Sequence, residues 1–162
     1  MDGPAALSNR PASPDDDEFL FQLYASTRAE EMAAWGWPPA QQETFLRMQF
    51  RARRQSYGAT YSGASHAILV SGDAPVGSAV VWRNPAEIRL VDIAFLPEHR
   101  NRGWGAQWIS QLIREAAAAE IPLRLSVHRG NRAIRLYERL GFMPAGADPM
   151  YIEMEHKRGG TE

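Results

Sequence analysis

The chain has 162 residues, 44% hydrophobic and 23% charged, which is enough for a sizeable core and ordinary for a globular protein. A formal net charge of −1 excludes nucleic acid as a bulk electrostatic partner, and no apolar run is long enough to span a membrane. The absence of cysteine excludes disulfides, thiolate zinc sites and a cysteinyl acyl-enzyme, and suits a cytoplasmic location. A single domain over 1–162 is expected, with residues 1–10 as a short edge strand or a frayed tail and 157–162 as a tail. The first 18 residues hold no apolar signal core and carry Asp15-Asp16-Asp17-Glu18, which argues against secretion. His66, His99, His128 and His156 lack metal-ligand spacing, so no metal is expected.

Ser13 and Pro14 read as the N-cap and first position of a helix whose apolar face is Phe19, Leu20, Leu23 and Tyr24. Trp35-Gly36-Trp37-Pro38-Pro39 breaks it, and a second helix is expected from about Ala40 to Tyr57. Arg47, Arg51 and Arg54 share a face of that helix, as a solvated surface, an attractor for an acidic acceptor or a contact to a partner subunit. His66–Val70 and Val76–Trp82 read as strands joined by a turn at Ser71-Gly72-Asp73. Asn84-Pro85 turns into an apolar strand, Ile88–Leu96, closed by Pro97.

Arg100-Asn101-Arg102-Gly103-Trp104-Gly105 follows, and then a helical pattern of Trp108, Ile109, Leu112, Ile113 and Ala116. This is strand, glycine loop, helix. Glycine lets backbone N–H groups approach an anion closely, a helix start adds partial positive charge, and two arginines add whole ones. The pattern fits a pyrophosphate; its bland alternative is a turn with solvated arginines. Trp108 stands where a dinucleotide fingerprint needs its third glycine, and the only lysine, Lys157, is not in a Walker position. Leu123–His128 reads as another strand, and Asn131 as the N-cap of a helix with Ile134, Tyr137 and Leu140 on one face and Gly141 as its C′ residue. Further strands run to Met154.

Two segments resemble the GNAT acetyltransferase superfamily. Phe95-Leu96-Pro97-Glu98-His99-Arg100-Asn101-Arg102-Gly103-Trp104-Gly105 is similar to its V-x-P-x-x-R-x-x-G-x-G segment, and Asn131 with Leu136-Tyr137-Glu138-Arg139-Leu140-Gly141-Phe142 is similar to its N…LYxxLGF segment. Their order and separation also match. The resemblance covers roughly residues 65–156 well and the first 60 or so in outline. It implies an α/β (α+β) fold: a central mixed, mostly antiparallel sheet with a splayed parallel strand pair, flanked by about four helices. The splayed strands would be Ile88–Leu96 and Leu123–His128. It also implies acetyl-CoA as co-substrate. The backbone of Ile93, Ala94 and Phe95 would take the pantetheine arm, Arg100, Asn101, Arg102, Gly103, Trp104, Gly105 and Ala106 the pyrophosphate, and Asn131 would add a contact.

The implied activity is N-acetyl transfer to a primary amine, a small molecule or a peptide amine, by direct attack in a ternary complex. The other reading is a catalytically silent acetyl-CoA-binding sensor or recruitment module. Tyr137 matches the family tyrosine beside the leaving sulfur; on periodicity alone it is a core aromatic with its hydroxyl bonded to backbone. The family's usual glutamates would fall at Ser126 and Arg89, which cannot serve as a base. Asp92, Glu30, Glu31 and His128 remain. Asp92, in an apolar strand, is either the catalytic base or the structural partner of an arginine. Trp35 and Trp37 either wall the acceptor site or cap the core. The acceptor itself and the oligomeric state, a homodimer included, are not fixed by these residues.

Overall fold

The computed structural model describes residues 6–156; the expected tail over 157–162 and the first residues of the expected edge segment lie outside them. The described chain gathers into two compact units, one holding residues up to Ala79 with Ile93–Arg100, the other Val80–Asp92 with residues from Asn101 on. No helix among the described residues is long and apolar enough to cross a membrane.

Seven strands form one sheet in the order β1-β2-β3-β4-β5-β7-β6: β1 Leu7–Pro11, β2 Ser65–Ser71, β3 Ala74–Asn84, β4 Glu87–Phe95, β5 Leu123–His128, β6 Met143–Ala147 and β7 Tyr151–His156. β1 lies at one edge of this order and pairs antiparallel with β2 from Leu7↔Ser71 to Pro11↔Ala67. Gly72 and Asp73 make the two-residue turn between β2 and β3, with Gly72 at φ +62°. At the next turn the Asn84 carboxamide oxygen accepts from the N–H groups of Ala86 and Glu87, at 2.8 and 3.1 Å.

β4 and β5 form the expected parallel pair. Their paired register covers Ile88↔Leu123, Arg89↔Arg124 and Leu90↔Leu125, and both strands continue past its end. β5 pairs antiparallel with β7 along its whole length, from Leu123↔His156 to His128↔Tyr151. Alternation puts Leu123, Leu125 and Val127 on a buried face and Ser126 and His128 on an exposed one.

Five α-helices appear where about four were expected. The first expected helix is two, α1 Asp17–Thr27 and α2 Ala29–Trp35. The cause is local: the hydroxyls of Ser26 and Thr27 donate to the carbonyls of Leu23 and Tyr24, at 2.6 and 2.7 Å, and compete with the backbone ladder. Gly36 at φ +69° ends α2. α3, Pro39–Thr60, starts one residue before its expected position and runs three beyond it. Phe21, Tyr24, Met32 and Leu46 form the cluster that joins these three helices.

Arg47 and Arg54 are not a free basic face. Arg47 pairs with Glu43 and Glu18 and lies over the Phe21 ring at 3.9 Å, and Arg54 pairs with Asp17. Two of the three arginines therefore fasten α3 to α1, and Arg51 remains exposed.

In the second unit, α4 Trp104–Ala119 buries Trp104, Trp108, Ile109, Leu112 and Ala116. α5, Ala133–Arg139, closes in a Schellman arrangement. The Phe142 N–H donates to the Tyr137 carbonyl and the Gly141 N–H to the Glu138 carbonyl, both at 3.0 Å, with Gly141 at φ +102°.

Pro14–Asp16 is a single 3-10 turn rather than the opening of α1. The Asp16 carboxylate turns back to accept from the Ser13 N–H at 2.8 Å and from both Nη groups of Arg10, at 3.0 and 2.9 Å. Those bonds hold its pKa down at about 2. The depressed pKa means this contribution to stability is present above the ordinary carboxylate range and fades as pH falls toward 2. Asp16→Asn should therefore lower Tm by several degrees at neutral pH, with the gap to wild type closing between about pH 4 and pH 2. Thermal melts of both proteins across that range test this; a pH-independent gap would remove the ion pair as the cause.

Candidate active site

The chain between β4 and α4 leaves right-handed backbone twice, at Asn101 with φ +63° and Gly103 with φ +79°. A 3-10 turn, Pro97–His99, precedes it. Arg100, Asn101, Arg102 and Gly103 are exposed, and a side chain built at Gly103 would meet nothing within 4 Å. The first helical bond of α4 runs from the Gln107 N–H to the Gly103 carbonyl at 3.0 Å. The N–H groups of Gly105 and Ala106 thus stand ahead of the ladder, where an α-helix supplies no internal acceptor. Uncovered backbone, a helix start and two guanidinium groups make this segment suited to a phosphate-like anion.

Two side chains of the motif have further duties. Trp104 is 7% exposed, so its indole belongs to the core, and the Arg102 guanidinium lies over it at 5.5 Å. Arg100 donates through Nε to the Phe95 carbonyl at 2.9 Å, which ties its guanidinium to the end of β4. Ile93, Ala94 and Phe95 are half-buried on that strand.

Asn131 is one residue further out than an N-cap. Arg132, in helical conformation, occupies the cap position, and the Asn131 carboxamide oxygen accepts from the Ala133 N–H at 2.8 Å. The side chain still satisfies a first-turn donor, and the residue is exposed.

Tyr137 is 6% exposed, with its ring 5.7 Å from that of Phe142. A buried phenol usually finds a hydrogen-bond partner. Burial first, and the Asp92 charge second, push its pKa up to about 12. The chain therefore brings Asp92 and Tyr137 within electrostatic reach of each other, both in the second unit.

The other base candidates are differently placed. Glu31 is held by Arg28 through two hydrogen bonds of 2.8 and 3.0 Å, and Glu30 is exposed on α2. His128 is exposed, accepts the Gly130 N–H on Nδ1 at 3.3 Å and meets the Tyr151 ring edge-on. Two carboxylates not singled out from sequence lie near Arg89 and Ser126. Glu153, opposite Ser126 on β7, pairs with Arg89, and Glu87 pairs with both Arg89 and Arg124. Burial alone would raise the Glu87 pKa, but hydrogen bonds from Arg124 and Arg89 hold it below the usual range. The signal for this network was the alternation of charges along β4, β5 and β7; which charge meets which depends on register.

Trp35, Trp37 and Phe45 form a mutual cluster with ring centroids 5.0 to 5.6 Å apart. Trp37 and Phe45 pack on the α1–α3 cluster, while Trp35 is 43% exposed.

The GNAT acetyltransferase family model matches residues 20–142, and the chain belongs to that family. No curated protein matches it in sequence. Its fold is similar to that of the PaiA N-acetyltransferase of Thermoplasma acidophilum, solved in complex with coenzyme A, at 17% identity, over 94% of this chain and 99% of that one, with TM-score 0.69. The ribosomal-protein-S18-alanine N-acetyltransferase of Escherichia coli is similar over 97% of each chain, at 20% identity and TM-score 0.64. A Corynebacterium glutamicum structure described as histone acetyltransferase HPA2 and related acetyltransferase is similar over 96% of this chain and 98% of that one, at 19% identity and TM-score 0.67.

Replacing Asp92 by Asn should bring the Tyr137 pKa down from about 12, though not to the ordinary tyrosine value, because burial is the larger cause. NMR titration of ring-labelled tyrosine, with Tyr137→Phe assigning the signal, measures it. An unaltered Tyr137 titration in Asp92→Asn would show that the two groups are not coupled.

Proposed function

We propose that this protein moves the acetyl group of acetyl-CoA to a primary amine, on a small molecule or a peptide, by direct attack in a ternary complex. The observation that supports this reading is Tyr137: a buried phenol within the field of Asp92, on the helix between Asn131 and Gly141-Phe142. Arg100 to Ala106 hold the pyrophosphate, the backbone of Ile93, Ala94 and Phe95 takes the pantetheine arm, and Asn131 adds a contact through its exposed amide. The fit is chemical: positive charge and backbone donors face an anion, and the end of a strand faces an amide-bearing chain.

The attacking amine must be neutral. An alkyl ammonium of pKa ~10.4 is neutral well under 1% of the time at pH 7, so a proton acceptor is needed. We assign that role to Asp92. The amine nitrogen bonds to the thioester carbonyl carbon, the carbon–sulfur bond breaks, the amine proton leaves to the acceptor and the departing thiolate receives the Tyr137 hydrogen bond. The chain has no cysteine, so no thiol of its own can carry the acetyl group first.

Thiol release from acetyl-CoA over a panel of small amines, amino acids and peptides tests the reading; release with none of them would remove it. Tyr137→Phe keeps the packing and should lower single-turnover rate by roughly 10²-fold with CoA affinity little changed. A rate equal to wild type would eliminate Tyr137 as donor. Gly103→Glu sets bulk and negative charge on the uncovered loop and strains a backbone at φ +79°. It should abolish the CoA-induced rise in Tm, and an equal rise in variant and wild type would displace the pyrophosphate from this loop.

A further inference from the structure

Gly77 lies buried in β3, and its backbone is not in the left-handed region, so conformation is not what requires glycine there. Space is. A methyl group at Gly77 would fall well inside contact distance of the Ala94 carbonyl oxygen, 2.9 Å from Phe95 Cδ1 and 3.2 Å from Phe95 Cα. Two of these neighbours are backbone atoms, which cannot swing aside as the tip of a side chain can. At Gly141, by contrast, the atoms met are those of the His156 imidazole. The same short segment is held at two further points. The Leu96 N–H donates to the Val76 carbonyl at 2.9 Å, and the Phe95 carbonyl accepts from Arg100 Nε at 2.9 Å. Ala94, Phe95 and Leu96 are thus fixed residue by residue, with Gly77 as the surface on which the first two rest.

We infer that Gly77 is a positioning residue for the acyl-carrying arm of the cofactor: the missing side chain sets where the Ala94–Phe95 backbone lies. This rests on the proposed role of Ile93–Phe95 in taking the pantetheine arm. Hydrogen bonds from backbone to an amide-bearing arm need heavy-atom distances of about 2.7–3.2 Å, so a shift of a few tenths of an ångström is enough to weaken them. Arg100, bonded to the Phe95 carbonyl, would feel part of that shift, but the loop donors from Asn101 to Ala106 belong to other residues, so the nucleotide end should lose less than the arm. Gly77 is therefore assigned to the arm and not to the nucleotide end.

The test compares two ligands by calorimetry: CoA, and ADP, which carries a pyrophosphate and no arm. Wild type should bind both; wild type binding neither would overturn the acetyl-CoA reading itself. In Gly77→Ala, CoA affinity should fall about tenfold, the order expected for the loss of one to two hydrogen bonds, with ADP affinity within about twofold of wild type. Unchanged CoA affinity in a folded Gly77→Ala, or equal losses for CoA and ADP, would overturn the inference. If Gly77→Ala does not melt cooperatively, Leu96→Pro asks the same question. Leu96 has φ −58° and ψ 147°, which suit a proline ring; the change removes the N–H bonded to Val76 and sets a ring carbon against that carbonyl, so it displaces the segment at a second point. The same split between CoA and ADP is expected there, and its absence would overturn the assignment.

Discussion

The arrangement at the far end of β4 depends on a pairing that stops early. The parallel register with β5 ends at Leu90↔Leu125, while β4 runs on to Phe95. Backbone polar groups withdrawn from water need partners, and a strand that loses a neighbour must find them elsewhere. At the end of β4 a guanidinium takes the Phe95 carbonyl, and the β3 carbonyl of Val76 takes the Leu96 N–H. A continuous ladder would have consumed the donors and acceptors that face each other across the two strands. In the proposed reading, groups that the early end leaves out of this ladder are the ones offered to the cofactor arm.

The elements built on strong local signals were legible in the sequence. β5 coincides with its expected span, Leu123–His128, because its alternation is clean. Gly141 terminates α5 as a C′ residue should, since only glycine adopts φ +102° there without strain. Features set by competition or by distant partners were not legible. The break at Arg28 comes from two hydroxyls that bond backward, which no apolar period reveals. Arg47 and Arg54 meet Glu18 and Asp17, 29 and 37 residues away in the chain, and spacing along one helix cannot show that. The candidate site divides in the same way. The glycine loop was readable because its residues are contiguous, whereas the neighbourhood of Asp92 and Tyr137 depends on how a strand and a helix far apart in sequence come together.

The charge network on β4, β5 and β7 explains why Arg89 and Ser126 are compatible with this sheet. Arg89 accompanies Arg124 in register, a repulsive neighbour pair unless carboxylates stand between and beside them. Glu87 pairs with both arginines, Glu153 with Arg89 and Glu155 with Arg124. Removing one member would leave a half-buried charge uncompensated, which is the destabilising case for such pairs. These carboxylates are committed to arginines, and a group so committed makes a poor proton acceptor. Asp92, on the same strand as Glu87 and Arg89, acts instead on the Tyr137 phenol.

That placement bears on what kind of donor Tyr137 is in the proposed reaction. A phenol with pKa of about 12 stays protonated at neutral pH, so the donor is always loaded. Complete transfer of its proton to a thiolate whose acid has an ordinary pKa near 8.5 would be uphill by roughly 5 kcal/mol, and the Asp92 charge opposes the phenolate that would result. In the proposed reaction Tyr137 would therefore act by hydrogen bonding to charge as it develops on the sulfur, which needs no net ionisation of the phenol. The proton that finally makes CoA a thiol must come from a stronger acid, and in the proposed reaction the carboxyl that has taken the amine proton is one. The two roles proposed for Asp92 are then compatible: a base would draw the amine proton, and the same charge helps keep Tyr137 neutral, as a hydrogen-bond donor to the leaving group must be.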